Sequence, residues 1–288
     1  MPEDVRTCTL CGSDCSAPFD HRFFRTWEVN NRVCLNCGLV YQSPRMTEAE
    51  AAAFYADEYR LLQEGSTDPT ARNMAIQNAR ALSLYNFIKP VLRAVSRHLD
   101  IGCSTGILLQ HFQAAYHNQA VGVEPGEAHR IHARKEGLTV YAMLEDLEKA
   151  GEARFDLVSM SHVLEHLPDP VGYLVHLREC VLTSDGRLLL EVPNLYAHDS
   201  FEVAHLVSYC SHTLTQTLEK AGFELVKLKK HGRPRSKMLP LYITLLADPA
   251  VSRTFNIRPE KQVMLKRRAG MLRRRLLERL FPKSAWIQ

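Results

Sequence analysis

Short apolar segments alternate with amphipathic segments from about residue 97 onward. The apolar runs have the length of buried strands, and the stretches between them have helical periodicity. The predicted strands are His98–Ile101, Ala120–Glu124, Leu138–Tyr141, Phe155–Met160, Arg187–Val192, Phe223–Lys229 and Leu241–Ala247. The predicted helices lie near Gly106–Ala115, Ala128–Glu136, Pro170–Val181 and Ser211–Ala221. This alternation predicts an α/β fold with a mostly parallel sheet and helices on both faces. The last two strands have no helix between them, which predicts an antiparallel pair.

The chain divides into four segments, of which the α/β domain is the third. Residues 1–45 are rich in cysteine and turn formers, residues 46–85 read as a helical connector, residues 86–250 form the α/β domain, and residues 251–288 are a basic tail. Within the connector, Thr47 and Glu50 have the spacing of a capping box, which predicts a helix over Thr47–Leu62. Its aromatic residues Phe54, Tyr55 and Tyr59 recur at helical spacing. They predict packing onto the α/β domain, with a lid over the site as the alternative.

The basic tail accounts for the positive net charge of the chain. The segment from Arg258 to Gln288 holds ten Lys or Arg residues and two Glu residues, so the remainder of this chain of net charge +4 carries −4. Leu265, Leu272, Leu276 and Leu280 fall on one side of a helix there. The pattern predicts a basic amphipathic helix that packs on the domain or forms a homodimer contact, since either would cover the leucines. Contact with an anionic membrane is the alternative.

Composition restricts the class of protein. The chain of 288 residues is 45% hydrophobic and 24% charged, and no apolar run reaches the roughly 18 residues of a membrane span. The opening MPEDVRTCTL lacks the apolar run of a secretory signal, which predicts a cytoplasmic protein, with peripheral contact at the inner membrane surface as a further expectation. Residues 1–45 hold five Arg and no Lys against five acids, so a nucleic-acid partner is disfavoured.

Four cysteines near the start of the chain have the spacing of a metal site. Cys8 and Cys11 form one Cys-x2-Cys pair, Cys34 and Cys37 form another, and 22 residues separate the pairs. A glycine follows each pair and lets the backbone curl so that its amides point at sulfur. Four thiolates are the closed tetrahedral set that zinc prefers in structural sites. The pattern predicts a zinc ribbon without metal catalysis, a redox pair being the alternative, and leaves Cys15 as a spare residue.

The first strand of the α/β domain runs into a glycine-rich turn. In HLDIGCSTGILLQHF, Asp100, Gly102, Ser104 and Gly106 alternate before an apolar helix begins. Such a turn presents amides to an anionic group at a helix N-terminus. The middle glycine of a dinucleotide fingerprint is absent, so the turn suits a carboxylate better than a pyrophosphate. Glu124 ends the second strand, where a carboxylate accepts hydrogen bonds from ribose hydroxyls.

These residues resemble the class I S-adenosylmethionine-dependent methyltransferases over about residues 80–250. The resemblance is carried by DIGCSTG, Glu124, FDLVSMSHVLEHLPDP (Phe155–Pro170) and DGRLLLEVPN (Asp185–Asn194). It implies a Rossmann-like sheet of seven strands with S-adenosylmethionine as cofactor. It also implies which residues bind the cofactor: Asp100, Gly102, Cys103, Ser104 and Gly106 at the methionine part, Glu124 at ribose, Leu144 and Glu145 at adenine, and Ser161 with His162 beside the methyl group.

The cysteine-rich segment extends the resemblance. The first Cys-x2-Cys pair, followed by CLNCGLVYQSPRMTEAEAAAFYADEY, is similar to the zinc-binding leader of a subgroup that includes sugar methyltransferases. This implies a sugar or nucleotide-sugar acceptor and a role in carbohydrate biosynthesis. The chain differs from the sugar C-methyltransferases in having about 40 residues after its last predicted strand where they carry a large domain, so the substrate class is carried over only in part.

A histidine is the expected general base. A neutral hydroxyl or a carbon acceptor must lose a proton, and histidine suits that role near pH 7. The candidates are His162 and His166, which follow the fourth strand, and His205 after the fifth, with Glu202 and Tyr209 as helpers. The alternative acceptor is a quinone or phenol, which predicts an apolar, aromatic-lined pocket. An RNA-modifying or RNA-binding protein that uses ribbon and tail is a more distant alternative.

Overall fold

The computed structural model describes residues 2–47, 50–51, 54, 61, 65–250 and 255–287. Its strands are β1 (Ser16–Phe24), β2 (Trp27–Cys34), β3 (Val40–Gln42), β4 (Arg97–Ile101), β5 (Gln119–Val123), β6 (Thr139–Tyr141), β7 (Phe155–Ser161), β8 (Leu182–Pro193), β9 (Val207–Ser208), β10 (Phe223–His231) and β11 (Tyr242–Pro249). Its α-helices are α1 (Ala71–Ile88), α2 (Ile107–Tyr116), α3 (Glu127–Lys135), α4 (Leu144–Lys149), α5 (Pro170–His176), α6 (Ser211–Lys220), α7 (Val263–Leu280) and α8 (Pro282–Ala285).

Seven strands form one mixed sheet, in the order β10-β11-β8-β7-β4-β5-β6. The pairs β6-β5, β5-β4, β4-β7 and β7-β8 are parallel, whereas β11 runs antiparallel to both β8 and β10. All seven predicted strands are present, and the predicted antiparallel pair is confirmed. The parallel strands place their carboxyl ends at one edge, where the glycine-rich turn, Glu124 and His162 follow β4, β5 and β7.

Both faces of this sheet are covered, which explains why its strands read as unbroken apolar runs. Along β8, Leu189 packs with residues of α1 and α2, whereas Leu188 and Leu190 pack on the opposite face with residues of α5 and α6. The four predicted helices are confirmed as α2, α3, α5 and α6. Short α4 was not predicted, because LEDLEK offers little more than one turn; its start is fixed by the Met143 amide, which donates to Asp146 Oδ2.

Helix α1 packs on one face of the large sheet. The predicted boundary between the connector and the α/β domain, at residues 85 and 86, lies inside this helix. Of the predicted helix Thr47–Leu62, the capping box is confirmed: the Thr47 amide donates to Glu50 Oε2, and the Glu50 amide donates to Thr47 Oγ1. Phe54 is buried against Val29, Met46 and Val203. Tyr55 and Tyr59 lie outside the described residues, so their predicted role stays a prediction.

A second, smaller sheet joins the cysteine-rich segment to the α/β domain. Its order is β1-β2-β3-β9, all antiparallel. Strands β1 to β3 come from the first 45 residues, whereas β9 lies between β8 and α6 of the large domain. The amide of Gln42 also donates to the carbonyl of Leu206 at 2.8 Å. The ribbon therefore continues a sheet that begins in the α/β domain.

Helix α7 packs against the segment that follows β8. Val263 is buried beside Leu195 and Phe201, and the Arg267 guanidinium is buried on the carbonyls of Leu195 and His198. The predicted basic amphipathic helix is confirmed. Its packing leaves Leu265, Leu272, Leu276 and Leu280 each 54–68% exposed, contrary to the expectation that packing would cover them. A search of the described helices for one long and apolar enough to cross a bilayer finds none.

Candidate active site

The turn after β4 requires glycine at two positions. Gly102 and Gly106 both have left-handed backbones, with φ of +74° and +80°. A Cβ at Gly102 would lie 2.5 Å from a Val163 methyl, and one at Gly106 would lie 2.2 Å from a Leu138 methyl. The side chain of Gln77 on α1 holds the turn from the other side, donating to Ser104 Oγ at 3.0 Å and accepting from Thr105 Oγ1 at 2.7 Å.

Asp100 is buried at the end of β4. Its Oδ1 accepts a hydrogen bond from Ser159 Oγ at 2.6 Å, and that hydroxyl also lies 2.8 Å from His98 Nε2. Burial raises the pKa of Asp100 to about 7, and the charge of Glu124 adds to the rise. A cationic ligand group beside this carboxyl would offset its burial by favouring the ionised form.

Glu124 is buried one strand away, at the end of β5. Its Oε2 accepts from the Ser104 amide at 2.8 Å and its Oε1 accepts from the Gly126 amide at 2.9 Å. The carboxylate therefore links the two turns that follow β4 and β5. Glu124 also lines the cavity described next, where a carboxylate can accept hydrogen bonds from ligand hydroxyls.

One cavity of about 680 Å³ joins nearly all of the predicted site residues. The predicted cofactor residues that line it are Asp100, Gly102, Cys103, Ser104, Glu124, Leu144, Glu145 and Ser161. The three predicted catalytic histidines, His162, His166 and His205, line it as well. Gly106 shapes the turn without lining the cavity, and Tyr209 is buried in the core outside the lining, so the expected assistance of Tyr209 to His205 stays a prediction.

The residues fit the cofactor that the fold family uses. The Ser161 hydroxyl is buried with no hydrogen-bond partner among the described residues, so it is available to a ligand in the cavity. The Asp100 carboxyl is adapted to a positive group, and Glu124 to hydroxyls. Leu144 and Glu145 begin α4 at the edge of the cavity that follows β6. These side chains suit the amino acid part, the ribose and the apolar adenine ring of the cofactor.

His162 is held between two buried carboxylates. Its Nδ1 lies 3.3 Å from Glu165 Oε1 and its Nε2 lies 3.6 Å from Glu191 Oε1, and its backbone has a φ of +57°. Burial alone would raise the pKa of Glu165, but the His162 hydrogen bond and the nearby histidine charges hold it at about 2. Each ring nitrogen of His162 thus faces a carboxylate, which suits a positioning role.

Sequence reasoning missed Glu191 and Arg80. Glu191 is fully buried in β8, where it contacts Arg80 Nε at 2.9 Å, His231 Nε2 at 3.2 Å and Thr244 Oγ1 at 2.8 Å. Burial opposes its ionisation, but the neighbouring His162 and His231 rings and the charge of Arg80 hold its pKa below the usual range. The available signal was one acid inside the apolar strand LLLEVP, because a buried acid requires partners.

His166 and His205 face each other in the cavity, with ring centroids 4.8 Å apart. His166 Nδ1 lies 2.8 Å from the carbonyl oxygen of Ala204, which places the proton on Nδ1 and the lone pair on Nε2. Burial, assisted by the charge of His205, lowers the pKa of His166 to about 4, so this ring is neutral at pH 7. His166 thus has the electronic form of a proton acceptor.

His205 is less free to act as a base. Its Nδ1 lies 2.6 Å from the Ser200 carbonyl oxygen, and its Nε2 lies 3.1 Å from Glu202 Oε1. This contact with the carboxylate occupies Nε2, and burial lowers the pKa of His205.

The same cluster has the composition of a cation site. Glu165, His166 and His205 each offer a ligand atom, and these atoms lie within 4.8 Å of one another. One carboxylate and two imidazoles suit divalent transition metals. The geometry therefore allows either proton transfer or cation binding.

The four predicted zinc ligands come together in one cluster. The Sγ atoms of Cys8 and Cys37, and those of Cys11 and Cys34, are 3.5 Å apart, and all four ligand atoms lie within 4.8 Å. Four sulfurs around zinc at about 2.3 Å would be separated by about 3.8 Å. None of the four forms a disulfide, whose sulfurs would lie about 2.0 Å apart. Cys15 is exposed and outside the set.

The fold and site define a Rossmann-like methyltransferase: the strand order, the antiparallel β11 and the cavity at the carboxyl edge occur together. A family description of a methyltransferase domain matches residues 72–228, so the chain belongs to this family of S-adenosylmethionine-dependent methyltransferases. Its fold is similar to a crystal structure of Burkholderia thailandensis 1,6-didemethyltoxoflavin-N1-methyltransferase with S-adenosylhomocysteine, with a TM-score of 0.56 and 19% identity, covering 81% of this chain and 100% of that one.

Several curated proteins of one name are similar to this chain in sequence. The chain is 33% identical over 192 residues to a ubiquinone biosynthesis O-methyltransferase of Dinoroseobacter shibae, covering 59% of this chain and 74% of that enzyme. It is 40% identical over 101 residues to the enzyme of the same name from Cereibacter sphaeroides, covering 33% of this chain and 39% of that enzyme. Similar relatives are matched over 33–58% of their own length.

Proposed function

We propose that this enzyme methylates a hydroxyl group of a small phenolic acceptor of the quinone-precursor type, with His166 as general base. The observation that carries the proposal is a neutral, oriented imidazole in the same cavity as the cofactor turn. The names of the curated relatives support the quinone or phenol alternative, and they give no support to the sugar or nucleotide-sugar acceptor.

The acidity of the acceptor also favours a phenol. A phenolic hydroxyl has a pKa of about 10, whereas water, a closer guide to an alcohol, has about 15.7. A base with a conjugate-acid pKa of about 4 would take the phenolic proton across about 6 pKa units, or about 8 kcal/mol. An alcohol would demand about 16 kcal/mol from the same base. A buried, weakly basic histidine is therefore suited to the more acidic hydroxyl.

The cofactor proposal assigns a role to each predicted residue. Asp100 would bind the amino group and Glu124 the ribose, with Leu144 and Glu145 at the adenine. Ser161 would donate its unpaired hydroxyl into the cavity. When bound, S-adenosylmethionine supplies an electrophilic methyl group on a sulfonium. His162, fixed between Glu165 and Glu191, would position the acceptor, and His166 Nε2 would take its proton.

We also propose that the cysteine cluster holds one structural zinc ion. Burial and the neighbouring Cys8 raise the pKa of Cys37, whereas the hydrogen bond from Cys37 lowers that of Cys8 to about 6. Four neighbouring sulfurs cannot all ionise without a cation, and a dication would satisfy all four thiolates at once.

The acceptor is tested by incubating the purified full chain with S-adenosylmethionine and two substrate panels, catechol-type hydroxybenzoates and nucleotide-sugars. We expect a mass gain of one methylene on the phenols, and a methylated sugar nucleotide without a methylated phenol would overturn the proposal. His166→Gln should lower kcat on the phenol by about 10²–10³-fold with unchanged S-adenosylhomocysteine affinity. The matched control, His21→Gln, alters an exposed histidine of the ribbon.

The role of the histidine cluster has its own control. If wild-type activity disappears in EDTA and returns on adding Mg²⁺ or Mn²⁺, the cluster binds a cation and the base assignment is wrong. Activity that persists through that treatment, together with loss in His166→Gln, supports proton transfer.

A further inference from the structure

The exposed side of α7 is an apolar stripe bordered by positive charge. At 100° per residue, Leu265, Leu272, Leu276 and Leu280 fall within a sector of about 80°. These leucines are 59%, 68%, 54% and 60% exposed, and Phe281 at the end of the helix is 50% exposed. They form what we call the leucine stripe. Scattered exposed leucines are ordinary, but four on one side of one helix over about four turns are not.

Cations flank the leucine stripe on both sides. Arg268, Arg275 and Arg279 lie along one side of it, and Lys266 and Arg273 along the other, and all five are exposed. The four arginines make no ion pair with any residue that the structure describes. The single acid of α7, Glu278, pairs with Arg274 on the side that faces the protein.

The opposite side of α7 is fixed to the α/β domain, so the stripe cannot turn inward. Arg267 is buried and bonds the carbonyl oxygens of Leu195 and His198, and Arg274 donates to the Ala197 carbonyl. Gly270 lies so close to Tyr196 that a Cβ would meet its carbonyl oxygen at 1.9 Å. The helix is therefore held rigidly with its leucines facing outward.

We propose that the leucine stripe and its flanking cations dock the enzyme on an anionic lipid surface. Leucines that enter the headgroup boundary leave water, and arginines on both sides meet lipid phosphates. A second copy of this chain fits less well, because pairing two stripes would bring the cations of one helix against those of the other. The docking surface does not depend on which acceptor the enzyme methylates.

The test is flotation of the purified full chain with vesicles of phosphatidylcholine alone or with phosphatidylglycerol added, because anionic lipid supplies the negative surface potential that attracts basic segments. We expect binding to the anionic vesicles only, and weaker binding as salt rises. Leu272→Gln with Leu276→Gln should lower the partition coefficient at least about tenfold. Arg268→Gln, Arg275→Gln and Arg279→Gln together should lower it about 100-fold, at about fivefold for each arginine.

The control variant is Ile131→Gln, which alters an exposed apolar residue of another helix and should bind as the wild type does. S-adenosylhomocysteine affinity and thermal melting confirm that each variant is folded. Three results would overturn the proposal: no binding to anionic vesicles, equal binding to both vesicles, or a wild-type dimer that Leu272→Gln with Leu276→Gln dissociates. The last result would assign the stripe to a second copy.

Discussion

At the scale of single residues, Asp100 predicts the pH dependence of cofactor binding. Burial raises its pKa to about 7, so the carboxyl is mostly protonated at pH 5 and mostly ionised above pH 8. A cationic amino group binds the ionised form, and affinity should therefore fall about tenfold for each pH unit below 7. Calorimetric titration with S-adenosylhomocysteine from pH 5 to 8.5 measures the slope.

Two variants separate Asp100 from other titrating groups. Asp100→Asn should bind S-adenosylhomocysteine weakly at every pH, with the slope below pH 7 removed. Asp185→Asn alters an exposed acid and should keep the wild-type profile. An unchanged slope in Asp100→Asn would mean that another group controls the dependence.

Residues whose role follows from local pattern were predictable, and those that pair across the fold were not. Asp100, Gly102 and Glu124 stand beside the strand ends and turns that define them, and the structure brings all three to the cavity edge. Arg80 and Glu191 become partners only when α1 crosses β8, so neither position alone indicates the pair. The proton positions on His166 and His205 likewise depend on the carbonyls of Ala204 and Ser200.

At the scale of elements, the close approach of Gly270 to Tyr196 indicates how firmly α7 is attached to the α/β domain. Alanine usually stabilises a helix interior by about 1 kcal/mol relative to glycine. Here the added Cβ would meet the Tyr196 carbonyl oxygen at 1.9 Å, so Gly270→Ala should loosen the helix instead. We expect hydrogen exchange of the amides in residues 263–280 to quicken at least about tenfold. The control is Ala269→Gly at the exposed neighbouring position. It should lower the stability of the helix only by the difference in helix propensity between alanine and glycine.

The elements of the large sheet were predictable because burial on both faces makes their strands continuously apolar. The ribbon strands were not. Strand β1, SAPFDHRFF, mixes polar and aromatic residues because most of its side chains remain partly exposed. Strand β9 has two residues and exists only through pairing with Val40 and Tyr41. A short strand that is defined by its partner has no sequence signature of its own.

At the scale of the whole molecule, the two sides of the cleft depend on different parts of the chain. The proposed cofactor side is formed by the turns after β4 and β5 of the large sheet. The proposed acceptor side includes His198, Glu202 and His205, which precede β9. That strand pairs with β3 of the ribbon, and the Gln42 amide bonds the Leu206 carbonyl next to His205. The ribbon thus supports the acceptor side and leaves the cofactor side independent.

Loss of the proposed zinc ion should therefore affect the acceptor and the cofactor differently. When Cys34→Ser removes one of its proposed ligands, we expect the acceptor KM to rise and kcat to fall, each by about tenfold, because a displacement of about 1 Å at the acceptor suffices for such losses. The Kd of S-adenosylhomocysteine should stay within about twofold, since its residues lie on the large sheet. Cys15→Ser, which alters an exposed cysteine outside the cluster, should keep wild-type kinetics and one zinc per chain. Parallel loss of cofactor binding in Cys34→Ser would instead show that the ribbon stabilises the entire domain. Unchanged kinetics would show that β9 keeps its position when the cysteine cluster is disrupted.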